Sequence, residues 1–199
     1  MNSGTKSNRD WFNLKIAPGI NFATISLDNN AYYYKDWKYT NKVSFRIGVE
    51  AELVLPFKKN KWAATFEPTF QYFKDETNSS TVTSSVNFKS IEFPVGLRYY
   101  FFLNKDLKMF VNGIFIVNYS LNLNSDIVIS LDNYNTTTLD ISTGPSFAVG
   151  GGFEYKRASA EIRYYTDREI LNDYQTWFNK YTRVSVIFGY KIFKKVHAA

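Results

Sequence analysis

Val43-Ser44-Phe45-Arg46-Ile47-Gly48-Val49-Glu50-Ala51-Glu52-Leu53 alternates without a break between two kinds of side chain. An extended chain puts Val43, Phe45, Ile47, Val49, Ala51 and Leu53 on one face and Ser44, Arg46, Gly48, Glu50 and Glu52 on the other. Successive residues of a strand point to opposite sides, whereas a helix would scatter both sets around its circumference. The stretch reads as a strand with one apolar and one polar face.

The same parity recurs in seven further segments, 12–22, 62–72, 91–101, 109–123, 141–155, 160–166 and 184–192. In 91–101, Ile91, Phe93, Val95, Leu97, Tyr99 and Phe101 oppose Glu92, Gly96 and Arg98. In 184–192, Val184, Val186, Phe188, Tyr190 and Ile192 oppose Ser185, Gly189 and Lys191. Segment 109–123 is less regular, because Ile114 and Ile116 share a face with Asn112 and Asn118. The connections alternate in length. Short ones span 56–61, 104–107 and 156–158; long polar ones span 28–42, 74–90, 124–140 and 167–180. Short turns at one end and long loops at the other are the build of an up-and-down antiparallel barrel in an outer membrane, with the turns periplasmic. The sequence therefore predicts an all-β, eight-stranded transmembrane barrel over 11–193, with four long extracellular loops. A flexible N-terminal segment at 1–10 and a C-terminal tail at 194–199 flank it, and both ends lie on the turn side.

Composition excludes other classes. The chain has 199 residues, 45% of them hydrophobic and 19% aromatic. Its mean hydropathy is only −0.29. A spanning helix needs about 20 consecutive apolar residues, and runs such as Ile114-Phe115-Ile116-Val117 are far shorter. Cysteine is absent, so no disulfide framework or thiolate site exists. Met1-Asn2-Ser3-Gly4 reads as the start of a mature or recombinant chain, from which any export signal is expected to have been removed.

Alternation alone does not say which face points outward, since a soluble barrel with an apolar lumen has the same pattern. Volume decides it. Eight strands enclose an interior just wide enough to be filled by side chains. The apolar face is bulky, with Gly113 and Gly151 as gaps, while the polar face holds Ala17, Gly19, Gly48, Ala63, Gly96, Ala148, Gly150, Gly152 and Gly189. The polar face belongs inside. It carries Lys15, Arg46, Arg98, Arg163, Arg183 and Lys191 against Glu50, Glu52, Glu67, Glu92, Glu154 and Glu161. These twelve residues are the expected lumen network of ion pairs, structural in role, in a plugged interior.

Aromatic side chains fall at the ends of the outward face, as interfacial girdles do. Trp62, Tyr99, Phe101, Tyr155 and Tyr190 mark the turn side; Tyr72, Tyr119 and Tyr164 mark the loop side. The turns and tail are basic, with Lys58, Lys59, Lys61, Lys105, Lys108, Lys156, Arg157, Lys194 and Lys195 against Asp106. Anionic headgroups suit that rim, and so does the simpler role of keeping turns solvated.

Three stretches resemble the porin-family outer-membrane β-barrel domain common in Bacteroidota. They are Ser90-Ile91-Glu92-Phe93-Pro94-Val95-Gly96-Leu97-Arg98-Tyr99-Tyr100-Phe101, Val149-Gly150-Gly151-Gly152-Phe153-Glu154-Tyr155 and Val186-Ile187-Phe188-Gly189-Tyr190-Lys191-Ile192-Phe193. The resemblance covers nearly the whole chain and implies a Gram-negative outer-membrane location and a barrel fold, without a shared activity. Members of that family usually end on an aromatic residue, whereas Lys194 to Ala199 follow Phe193 here.

Enzymatic chemistry has little to build on. The single histidine, His197, lies in the tail, so no histidine-based triad fits inside the barrel. No His or Cys cluster suggests a metal, no cofactor is expected, and the basic residues do not form the aromatic-interleaved face of a nucleic-acid binder. Trp37 and Trp177 fall in long connections, as ligand contacts or as interface anchors. The leading expectation is a non-enzymatic outer-membrane barrel among lipids, with loops for surface binding or docking to other outer-membrane proteins. A narrow passive porin and a soluble lipocalin-like carrier of an apolar ligand are the alternatives.

Overall fold

The computed structural model describes residues 10–29, 37–79, 82–119, 126–131, 135–140, 145–168 and 177–194, with side chains over 10–24, 43–72, 89–117, 145–166 and 182–192. Eleven strands run in chain order: β1 (Phe12–Asn29), β2 (Trp37–Val54), β3 (Trp62–Phe66), β4 (Thr69–Ser79), β5 (Val82–Phe102), β6 (Leu107–Tyr119), β7 (Asp126–Leu131), β8 (Asn135–Asp140), β9 (Ser146–Tyr155), β10 (Ala158–Arg168) and β11 (Trp177–Lys194). Eight antiparallel staves form the wall: β1, β2, β3 with β4, β5, β6, β9, β10 and β11. The first stave pairs with the last, Ile20 opposite Val186, which closes the ring.

β3 and β4 are one stave interrupted at Glu67-Pro68, because proline has no N–H to give to the ladder. Backbone bonds from Val49 N to Pro68 O (3.1 Å) and from Glu67 N to Pro94 O (2.9 Å) carry the sheet across the gap. Closure matters because hydrocarbon offers no hydrogen bonds to an open sheet edge.

Burial follows the predicted parity and fixes its direction. Phe45, Phe147 and Ile162 are 68%, 61% and 63% exposed on the outer surface, whereas Glu52, Glu92 and Glu154 are 0% exposed inside. A water-soluble protein has the reverse arrangement. The barrel is a transmembrane one, and a soluble carrier with its apolar face inward does not fit this wall.

The inward glycines make the bore possible. A Cβ at Gly150 would stand 2.5 Å from Glu161 Oε1, and one at Gly19 would stand 2.7 Å from the Val186 carbonyl oxygen. At Gly152 it would collide with the Ala160 carbonyl and the Phe110 ring. Outward Gly113 has nothing within 4 Å of such a carbon.

The long connections are shorter than the sequence suggests. Within 74–90, β4 and β5 pair as far as Ser79 opposite Val82, and within 124–140, β7 and β8 pair from Asp126–Asp140 to Leu131–Asn135. β5 also pairs with β7, so β4, β5, β7 and β8 extend the sheet beyond the wall at the loop end. β1 and β2 likewise pair up to Leu27 opposite Trp37, and β1 and β11 up to Asn29 opposite Trp177. Trp37 and Trp177 therefore begin strands instead of sitting in loops. The flexible segment expected at 1–10 and the tail at 194–199 lie outside the described residues, apart from Asp10 and Lys194.

At the other end the turns are tight. Lys58, Lys59, Asn60 and Lys156 have φ of 46°, 62°, 58° and 53°. A left-handed backbone costs an ordinary residue roughly 1–2 kcal/mol.

Gly152→Ala and Gly113→Ala should therefore separate in urea unfolding of the vesicle-inserted barrel. Overpacking the bore at Gly152 should lower stability by about 1–3 kcal/mol, while Gly113→Ala should stay within about 0.5 kcal/mol of the parent.

Candidate functional site

The bore is filled by a column of charged and polar side chains that runs from the turn end to the loop end. Its turn-end group gathers around three carboxylates. Arg98, from β5, reaches Glu50 on β2 with two parallel bonds, Nη1 to Oε1 and Nη2 to Oε2, both 2.7 Å. The paired geometry is the strong form of an Arg–carboxylate contact. Arg98 also lies 3.2 Å from Glu52 and 3.3 Å from Glu161, and its Nε donates to Asn112 Oδ1 at 2.8 Å. Lys15 bridges Glu50 (2.9 Å), Glu52 (3.4 Å) and Glu154 (3.3 Å). Glu154 takes two more ammonium groups, Lys108 at 2.9 Å and Lys191 at 2.6 Å. The Tyr100 hydroxyl donates to Glu52, and Asn13 Nδ2 donates to Glu52 Oε1 at 3.0 Å.

A middle group follows. Arg163 holds Glu161 at 2.6 Å and Glu67 at 2.8 Å, from β10 across to the β3–β4 stave. Arg46 pairs with Glu67 as well, and donates to Thr69 Oγ1 at 2.9 Å and to the Tyr165 hydroxyl at 2.7 Å. Towards the loop end, Arg183 pairs with Glu92 at 2.8 Å and donates to Gln71. Its guanidinium lies 3.6 Å from the centre of the Tyr165 ring. Asn21 ties β1 to three other staves by donating to Gln71 on β4 (3.1 Å) and Ser44 on β2 (3.2 Å) and accepting from Ser185 on β11 (2.6 Å).

All twelve charged residues assigned to the lumen from the sequence are buried there, and each has an opposite charge within 4 Å. Part of the column leaves no mark in the sequence pattern. Lys108, assigned to the basic rim, turns inward to Glu154. Its parity matches Phe110 and Asn112, but a lysine beside a turn reads as solvated. Tyr100 and Phe110 are aromatics on the polar face. With Ala63 they pack inside near the turn end, and the Arg98 guanidinium lies 4.4 Å from the Phe110 ring centre. Ile114 and Ile116, the irregular pair of that segment, pack inside with Ala148 and Tyr165.

The girdle residues stand on the outer wall. Trp62 and Tyr99 meet edge to face at 5.0 Å, and Tyr99 meets Phe101 at 4.9 Å. Tyr155 and Tyr190 are exposed at the same end, and Tyr72 and Tyr164 are exposed toward the other. The backbone of Tyr119 pairs with Ile91; its side chain lies outside the described set.

No family model matches the chain, and no curated protein matches it. Among solved structures it is similar to Ail, the attachment invasion locus protein of Yersinia pestis, solved in complex with the heparin analogue sucrose octasulfate. That match has 12% identity and a TM-score of 0.47, over 90% of this chain and 99% of that one. It is also similar to Neisserial surface protein A, with 12% identity and a TM-score of 0.49 over 90% and 97% of the two chains. A de novo designed transmembrane β-barrel aligns with 13% identity and a TM-score of 0.35, over 87% of this chain and 95% of that one. The closed eight-stave antiparallel barrel of this chain stands on its own strand pairing.

Breaking a buried pair from one side leaves a charge uncompensated, at a cost of about 3–5 kcal/mol. Arg98→Met and Glu50→Gln should each lose that much in urea unfolding of the inserted barrel. The double variant should lose less than the two singles added together, and strict additivity would show that the pair is not coupled.

Proposed function

We propose that this protein is a non-enzymatic bacterial outer-membrane barrel, of the porin-family type in Bacteroidota that residues 90–101 resemble. In this reading the lumen is a structural plug, and the specific role belongs to the extended hairpins at the loop end. The observation that carries it is the bore itself, in which Arg98, Arg163 and Arg183 are each at most 2% exposed and every one is held by a carboxylate.

A transport path needs water-filled width, and wide channels come with more strands than eight. Catalysis needs a reactive group that substrate can reach. Here the lumen carboxylates are sealed in ion pairs, and the one histidine is residue 197. The sheet formed beyond the wall by β4, β5, β7 and β8 is instead available to a partner. We assign it to surface binding or to docking with other outer-membrane proteins, with the turns on the periplasmic side.

The purified barrel should depend on detergent or lipid for solubility and should show heat-modifiable gel mobility. In planar bilayers it should give no steady conductance above baseline. Regular ohmic steps would replace the plug with a narrow passive porin.

A further inference from the structure

The turn end of the barrel carries a ring of cations that the lumen does not use. Lys58 and Lys59 in the turn after β2, Lys105 in the turn after β5, and Lys156 and Arg157 in the turn after β9 are exposed, with Lys61 half-buried beside them. Among the described residues of these three turns Asp106 is the sole acid. By contrast, the described residues of the segments 28–42, 74–89, 124–140 and 167–180 at the opposite end hold six acids against six bases. With the lumen close to balance and the loop end balanced, the described residues carry their positive excess at the turns.

Two of these cations are fixed at the level of the girdle. The Lys61 ammonium stands 5.8 Å from the Tyr99 ring centre, and that of Lys156 stands 5.2 Å from the Tyr155 ring centre. Both tyrosines point outward from the wall, so the ammonium groups sit just beyond the aromatic belt, the depth of lipid phosphates.

The backbone adds an independent observation. Of the four non-glycine residues with left-handed φ among the described residues, three are rim lysines: Lys58, Lys59 and Lys156. Lys156 opens a two-residue hairpin turn, where Gly, Asn or Asp is the ordinary choice. Solvation alone does not call for lysine at these strained positions, since glycine would fit them at lower cost. A role for the positive charge does.

We propose that the turn-end rim selects anionic glycerophospholipid headgroups in the leaflet that surrounds it. Lys58, Lys59, Lys61, Lys105, Lys156 and Arg157 receive the phosphodiesters, and the girdle aromatics seat the glycerol region below them. The inference rests on the membrane reading above and adds a ligand class to one end of the barrel.

The test uses the full chain in phosphatidylcholine vesicles doped with spin-labelled phosphatidylglycerol or spin-labelled phosphatidylcholine, reading the motionally restricted lipid fraction. The parent should prefer phosphatidylglycerol by on the order of fivefold, with the preference shrinking as salt rises. The triple variant Lys58→Gly, Lys59→Gly, Lys156→Gly removes three charges at positions that glycine relaxes, so the barrel is retained and heat-modifiable mobility verifies it. Its preference should fall toward parity, and the matching triple arginine variant should keep it. Parity in the parent, or an undiminished preference in the glycine variant, overturns the proposal. So does lipid parity accompanied by rim-dependent binding of added polyglutamate, which would make the partner a soluble acidic polymer. A parent that does not insert into any vesicle overturns the membrane reading too, whereas insertion without headgroup preference removes the rim alone.

Discussion

A sheet closed in hydrocarbon has to fill its own bore, and in this protein it does so with paired charge. The wall satisfies its backbone by closing. Each stave then sends half of its side chains into a space too narrow for bulk solvent. A lone ion there would face a low dielectric with no water to replace. Arginine and glutamate from opposite staves fill the volume and neutralise each other, as Arg98 with Glu50 and Arg163 with Glu67 do. The glycines at 48 and 150 follow from the same constraint, because Glu67 and Glu161 leave no room for a Cβ there, while at 152 and 189 the Ala160 carbonyl and the Ser159 hydroxyl occupy that space.

The column is continuous. Arg98 links the turn-end carboxylates to Glu161, Arg163 links Glu161 to Glu67, and Arg46 links Glu67 to Tyr165, over whose ring Arg183 lies. Outside, the wall contributes no comparable specificity: Phe45, Val95, Leu97 and Ile162 offer a surface that acyl chains cover without directional contacts. Shape is set from within, and the two ends are left to differ. One is a set of tight basic turns; the other is a sheet that continues past the wall.

Much of this was legible in the sequence because a membrane imposes a one-sided pattern on every stave. Residues 43–53 separate their two faces without exception, 91–101 do so apart from Pro94 and Tyr100, and the inward volume limit sets the direction. Legibility ended where hydrocarbon ends. Residues 74–79, 82–90, 126–131 and 135–140 are strands, yet a hairpin in water can be polar on both faces, so Thr, Ser and Asn erase the alternation. Inside the bore, Tyr100 is obscured by an aromatic run, Tyr99 to Phe102, that reads as one girdle although its members point alternately out and in. Lys108 was hidden by its neighbourhood, since nothing local distinguishes a lysine that doubles back into a lumen from one in solvent.

Glu154 shows how the last step of assembly is tied to the first. It sits on β9, and its three ammonium partners come from β1, β6 and β11. Two of those staves form the seam where the beginning of the wall meets its end. A sheet left open at that seam would hold Glu154 without Lys15, which stays with Glu50 and Glu52 on β2. Sealing the seam thus completes the cation set of Glu154 and ties the balance of the bore to the closure of the wall.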